Sequence, residues 1–97
     1  MKLLTKAIEK KLPSLNKQSK LGMESIAYVK FFTPDSSWTW YVTGYDPKTK
    51  TFFGLVQGLE TEFGCFTLDE LESVRGHLGL PIERDLFFDP IKLSDIK

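Results

Sequence analysis

Cys65 is the only cysteine of this 97-residue chain, and His77 its only histidine. A lone cysteine excludes an intrachain disulfide and any paired-cysteine metal motif, and it fits a reducing compartment. Structural zinc usually takes four Cys or His ligands at recognisable spacing, and two residues of these types do not supply them. No metal and no cofactor are expected. Long apolar runs are also lacking: the longest extend about five residues, against the roughly 20 that a membrane-spanning helix needs. The segment Met1-Lys2-Leu3-Leu4-Thr5-Lys6 has no apolar core of signal-peptide length, so a cytoplasmic protein with no membrane partner is expected. An excess of either charge sign is missing too, because 13 basic and 13 acidic residues cancel.

That neutrality hides a gradient. Residues 1–20 hold six lysines (2, 6, 10, 11, 17 and 20) against Glu9, whereas residues 60–97 hold nine acids against four bases. If the two ends fold apart, the molecule has a basic and an acidic pole. Otherwise these are two solvated faces.

What the chain does have is aromatic residues. Its eight Phe, three Tyr and two Trp all lie between Tyr28 and Phe66, except Phe87 and Phe88. Such rings, with a 41% hydrophobic share, argue for a folded core rather than disorder, and the length suits one domain spanning 1–97. Ala7, Ile8 and Leu12 behind Thr5 predict a helix over 5–11 that ends before Pro13, followed by a polar loop from Ser14 to Gly22. Aromatic and β-branched runs then predict strands at 25–33, 37–43, 50–57 and 61–66, separated by turns at Thr33-Pro34-Asp35-Ser36, at Asp46-Pro47-Lys48 and at Gly58-Leu59. Thr67-Leu68-Asp69-Glu70 has the form of a capping box and predicts a helix over 68–75, closed by a left-handed Gly76. Arg84 to Asp89 suits a short edge strand that Pro90 ends.

The expected fold is therefore α+β. It consists of an N-terminal helix, a four-stranded antiparallel β-meander rich in aromatics, then a capped helix packed on the sheet and a short edge strand. Several strands carry large apolar groups on both faces. Either helices cover both sides, or the sheet curls, or a partner meets one face.

Little in the chain points to catalysis. Cys65 and His77 could form a nucleophile pair only if the fold joined them, and no dedicated orienting group stands out. Cys65, between Gly64 and Phe66, reads instead as a small buried strand residue, and His77 as a group near the last carbonyls of the helix. Zinc held by His77, supplemented by Cys65 or by carboxylates such as Glu83 and Asp85, is the metal alternative. The pairs Glu60 with Glu62 and Glu70 with Glu72 carry almost no specificity for glycoside chemistry. Gly54, Gly58 and Gly64 match no phosphate-cradling pattern. No catalytic residue is expected. For nucleic acid, Tyr28, Lys30, Phe32 and Tyr41 could stack bases on a sheet face, but the strands are electrically neutral and an acidic segment follows them. Direct nucleic-acid binding is therefore the weaker reading.

The acidic segment is the more distinctive surface. Glu60, Glu62, Asp69, Glu70, Glu72, Glu83 and Asp85 lie in a stretch where only Arg75 and Arg84 are basic. A negative face of this kind suits a protein partner with a basic groove, such as a nucleic-acid-handling host protein.

The stretches Phe31-Phe32-Thr33-Pro34, Trp38-Thr39-Trp40, Phe52-Phe53-Gly54-Leu55-Val56, Leu68 to Gly76 and Gly79 to Phe88 resemble a family of small bacterial proteins catalogued as a domain of unknown function. Members are often encoded on plasmids, prophages and conjugative elements. The resemblance spans nearly the whole chain and brings no activity, cofactor or catalytic residue with it. It implies the setting of a mobile element, whose accessory genes often counter host restriction or CRISPR nucleases. The expected function is thus a non-enzymatic protein-binding accessory protein acting through the acidic surface. A single-stranded nucleic-acid-binding module and a regulatory or structural accessory protein are the alternatives.

Overall fold

The computed structural model of the chain describes residues 2–15 and 20–96. The loop expected from Ser14 to Gly22 thus lies partly outside the described residues. The described part is mixed α and β, with a mostly antiparallel sheet around a buried aromatic cluster.

Helix α1 (Lys6–Lys11) starts where the Thr5 hydroxyl accepts from the Ile8 amide. It stops at Leu12, whose extended backbone is what a following proline favours. Next come strands β1 (Ile26–Ala27), β2 (Val29–Phe32), β3 (Thr39–Asp46), β4 (Thr51–Gln57) and β5 (Thr61–Thr67). Helix α2 (Leu68–Ser73) follows, then β6 (Glu83–Arg84) and β7 (Ile91–Lys92). The main sheet is antiparallel in the order β5-β4-β3-β2-β6, and β1 pairs with β7 in a separate two-stranded piece. The strand expected over 25–33 is therefore two strands that serve different sheets.

Register fixes the faces. Glu62, Val56, Trp40, Phe31 and Arg84 form one cross-strand row, and Phe63, Leu55, Tyr41 and Lys30 form the neighbouring row on the opposite face. The first face carries the larger core. Phe52 sits at its centre, with ring centroids 4.7 Å from Tyr45, 5.5 Å from Phe31 and 5.7 Å from Phe66. Leu3, Leu12, Leu71 and Ile82 close over this helix-covered face. On the other face Ala27, Tyr41, Leu55 and Leu93 form a smaller cluster under Phe88 and Ile96, so the C-terminal tail covers it. Cover on both sides explains why β3 is buried without alternation from Trp40 to Tyr45.

A bulge between Val42 and Gly44 turns Tyr45 onto the helix-covered face, beside Phe52. There the fully buried Thr43 donates its hydroxyl to the Phe53 carbonyl at 3.2 Å. Gly54 is required nearby, because a β-carbon on it would collide with the Tyr41 carbonyl.

Three local expectations need correction. Helix α2 ends at Ser73, with Val74 extended, and Gly76 does not have a left-handed φ; Gly22 and Gly79 do. In the cap, Glu70 N–H donates to Thr67 Oγ1 at 3.1 Å, but the Thr67 hydroxyl itself contacts Glu70 Oε1 at 3.3 Å, in place of a carboxylate bond to the Thr67 amide. Cys65 is exposed rather than buried, since β5 is an outer strand and Cys65 stands on its tail-side face. No helix is long and apolar enough to cross a membrane among the described residues.

Candidate functional site

The seven acids expected to form one surface are distributed over three places. Glu60 lies in the β4–β5 turn, and Glu62 lies on the helix-covered face of outer strand β5. Asp69, Glu70 and Glu72 belong to α2, where Glu70 is engaged in the cap. Glu83 sits on β6, the opposite edge of the sheet, and on the opposite face from Glu62; Asp85 follows it. Four strand spacings separate the two edges, about 19 Å. Asp85 is also occupied locally: it lies 4.0 Å from Lys30 Nζ and accepts from the Phe87 amide at 3.0 Å. The structure brings Glu60, Glu62 and the α2 acids to one side and leaves Glu83 and Asp85 at the other.

The proposed base-stacking set is split as well. Tyr28 packs against the helix-side core, and Tyr41 is buried beneath Phe88, with ring centroids 6.0 Å apart. Burial, and then the nearby Asp85 charge, raise the Tyr41 pKa above its ordinary 10.0. Cys65 and His77 also part company. Cys65 stands on the tail-side face opposite Phe53, whereas His77 lines a cleft against Trp38 and Trp40 on the other face.

That cleft has a volume of about 500 Å³. It lies where the β2–β3 and β4–β5 hairpin turns sit at the same end of the strands. Trp38 and Trp40 form one wall, their rings stacked at 5.9 Å. Leu59 of the second hairpin and Val74, Arg75, Gly76 and His77 beyond α2 form the rest, with Ser36 and Ser37 at the rim.

Each part is held for a local reason. Thr33 closes the first hairpin twice, its amide donating to the Trp38 carbonyl at 3.0 Å and its hydroxyl accepting from the Trp38 amide at 3.1 Å. Asp35 then stitches the loop after α2 to this hairpin: its Oδ2 accepts from the Leu78 amide at 2.6 Å and from the Leu80 amide at 3.3 Å. Gly76 lets the two segments meet, because a β-carbon there would run into the Asp35 carboxylate. Among the described residues, Asp35 Oδ1 is buried and has no hydrogen-bond partner. Arg75 directs its guanidinium back to the Glu72 and Val74 carbonyls, at 2.8 Å each. Its charge therefore helps to close the helix rather than crossing the cleft.

Large apolar side chains gather around this opening. Leu59 is 94% exposed and Leu78 79%, and Leu80 and Trp38 are also exposed. Leu59 precedes β5 and Val74 follows α2, yet both line the cleft, so α2 must return along β5 towards it. The return carries Glu72 towards the end of β5 where Glu60 and Glu62 stand. The result is an apolar opening with acids on one flank.

The residue set missed in the sequence is therefore Asp35, Trp38, Leu59 and Leu78. One signal could have found part of it: Trp38 and Trp40 share a face two residues apart, next to a Pro-Asp turn.

With this geometry in place, the comparisons give a family and no function. The family described as "Protein of unknown function (DUF2958)" matches residues 3–95. The chain belongs to that family. No curated protein and no solved structure matches the chain. DUF2958 membership covers both hairpins and the loop after α2, so the whole cleft lies inside the matched region.

Proposed function

We propose that the protein is a non-enzymatic binding protein of a bacterial mobile element. It docks a host protein on the tryptophan cleft and on the acids Glu60, Glu62 and Glu72 beside it. The partner's matching surface is a basic, nucleic-acid-handling groove with an apolar contact, as in a restriction or CRISPR nuclease. The observation that carries the binding role is the convergence of Trp38, Leu59 and His77 from three separate loops on one cleft, with the exposed Leu78 next to His77 in the chain, where exposed apolar groups mark interaction surfaces. Acids on its flank supply the charge that a basic groove would recognise. The mobile-element setting and the defence target rest on the family resemblance, and the charge pattern supports them.

The test is DNA cleavage by a panel of purified restriction and CRISPR nucleases with the protein added. The wild type should inhibit at least one of them, more weakly as salt rises. Trp38→Ala should weaken that inhibition about 30-fold, as for a buried aromatic anchor, and the triple change Glu60→Lys, Glu62→Lys, Glu72→Lys should weaken it as well. No inhibition across the panel would overturn the defence reading, and inhibition untouched by both variants would overturn the site.

A further inference from the structure

Gly58 sets the geometry at the mouth of the tryptophan cleft. Thr39 pairs with Gln57, so Gly58 comes opposite Trp38, and a β-carbon on Gly58 would run into the six-membered ring of that indole. The ring therefore lies directly against the Gly58 backbone. The Glu60 carbonyl accepts from the Gly58 amide at 3.0 Å, which holds Glu60 across from Gly58 at the start of β5. One strand spacing, about 4.8 Å, thus separates the indole from the Glu60 backbone, with no side chain on the glycine between them. Trp40, Val56 and Glu62 form the next cross-strand row on the same face, so a second acid stands beside the second indole.

These acids are not engaged within the chain. Among the described residues, the carboxylates of Glu60, Glu62 and Glu72 accept no hydrogen bond and make no ion pair. Asp35 adds negative charge behind Gly76, since backbone amides hold its Oδ2 and no described cation pairs with it. The guanidinium of Arg75 is turned to the Glu72 and Val74 carbonyls.

An exposed indole face with unpaired carboxylates at its side has a specific complement. We infer that the occupant of the cleft is an arginine side chain of the docked partner. A guanidinium is planar: it stacks flat on an indole while its edge N–H groups donate to carboxylates in its own plane. A lysine ammonium is a compact, strongly hydrated point charge and does not do both at once. An acidic occupant is repelled, and an apolar one leaves the carboxylates without a partner. The assignment rests on the cleft being the docking site proposed above, and it names the group that the site reads.

Fluorescence anisotropy of labelled hexa-arginine, titrated with the protein at low salt, tests this with no nuclease present. The protein should bind hexa-arginine at least about 5-fold more tightly than hexa-lysine of equal charge, and should not bind hexa-citrulline. Trp38→Leu keeps apolar bulk and removes the π face, so it should weaken hexa-arginine binding about 10-fold, and Trp38→Phe should weaken it less. The double change Glu60→Gln, Glu62→Gln should weaken it too, whereas Glu83→Gln, on the far edge of the sheet, should leave it unchanged. Thermal melting confirms that each variant is folded. Equal affinity for the arginine and lysine peptides, or wild-type affinity in either Trp38→Leu or the double glutamine variant, would overturn the inference. Arginine-selective binding without inhibition of any nuclease would uphold the arginine site and overturn only the defence reading.

Discussion

Two glycines of the β4 region illustrate how single residues divide stability from recognition. A β-carbon on Gly54 would meet the Tyr41 carbonyl and the Val42 backbone, and neither can move without separating β3 from β4. The nearest atoms to a β-carbon on Gly58 would be those of the six-membered ring of Trp38, an exposed side chain outside the main core. Gly58→Ala should therefore push the indole aside, change the tryptophan emission and weaken partner docking, while costing under about 1 kcal/mol of stability. Gly54→Ala should cost about 1–3 kcal/mol or more through overpacking. Denaturant unfolding of the two variants, read beside their emission spectra, checks the contrast. Equal losses of stability would contradict this division of roles.

At the scale of elements, α2 depends on its ends, since six residues give too few internal hydrogen bonds to hold a helix alone. The Thr67 hydroxyl satisfies the Glu70 amide, and Leu71 anchors the turn in the core. Thr67→Ala should cost about 1 kcal/mol, which lowers the melting temperature by about 4–8 °C in a domain of this size. A calorimetric scan that shows no shift would refute the cap. The mixed fold class, the antiparallel sheet and the aromatic core are legible in the sequence, because aromatic and β-branched runs between turn residues report directly on strands. The bulge is not, since it depends on Thr43 reaching the Phe53 carbonyl of a neighbouring strand. Nor is the break at Tyr28, whose amide donates to the Val42 carbonyl while the residues before it pair with β7. The acidic surface is misread for a similar reason. Nearness in sequence does not measure distance across a sheet, and α2 and its loop carry the chain from the β5 edge at Glu62 to the β6 edge at Glu83. Trp38, Leu59 and His77 meet only because two hairpins turn at one end of the strands and Asp35 ties a later loop to them.

The described residues form a sheet with two covered faces, and each cover has a buried phenol beneath it. Tyr45 lies on the helix-covered face, its pKa raised by burial first and then by Glu9 and Asp46. Tyr41 lies on the tail-covered face, raised by burial and then by Asp85. Both shifts have the same sign: the folded protein holds these groups neutral above pH 10, where the unfolded chain ionises them. Between the unfolded and folded values the unfolded state binds fewer protons, so stability falls as pH rises. This contribution is fully present below pH 10 and disappears as pH climbs through the folded values. Because the two phenols occupy different layers, alkali should loosen both covers together, and unfolding should remain one transition. Tyr41→Phe should remove the tail-side share and make the decline above pH 10 shallower, while leaving the slope near neutrality unchanged. Urea unfolding from pH 8 to 11 reads this directly. An alkaline limb as steep in Tyr41→Phe as in the wild type would show that Tyr41 is not held neutral by its cover, and would assign the loss to Tyr45 and the helix side alone.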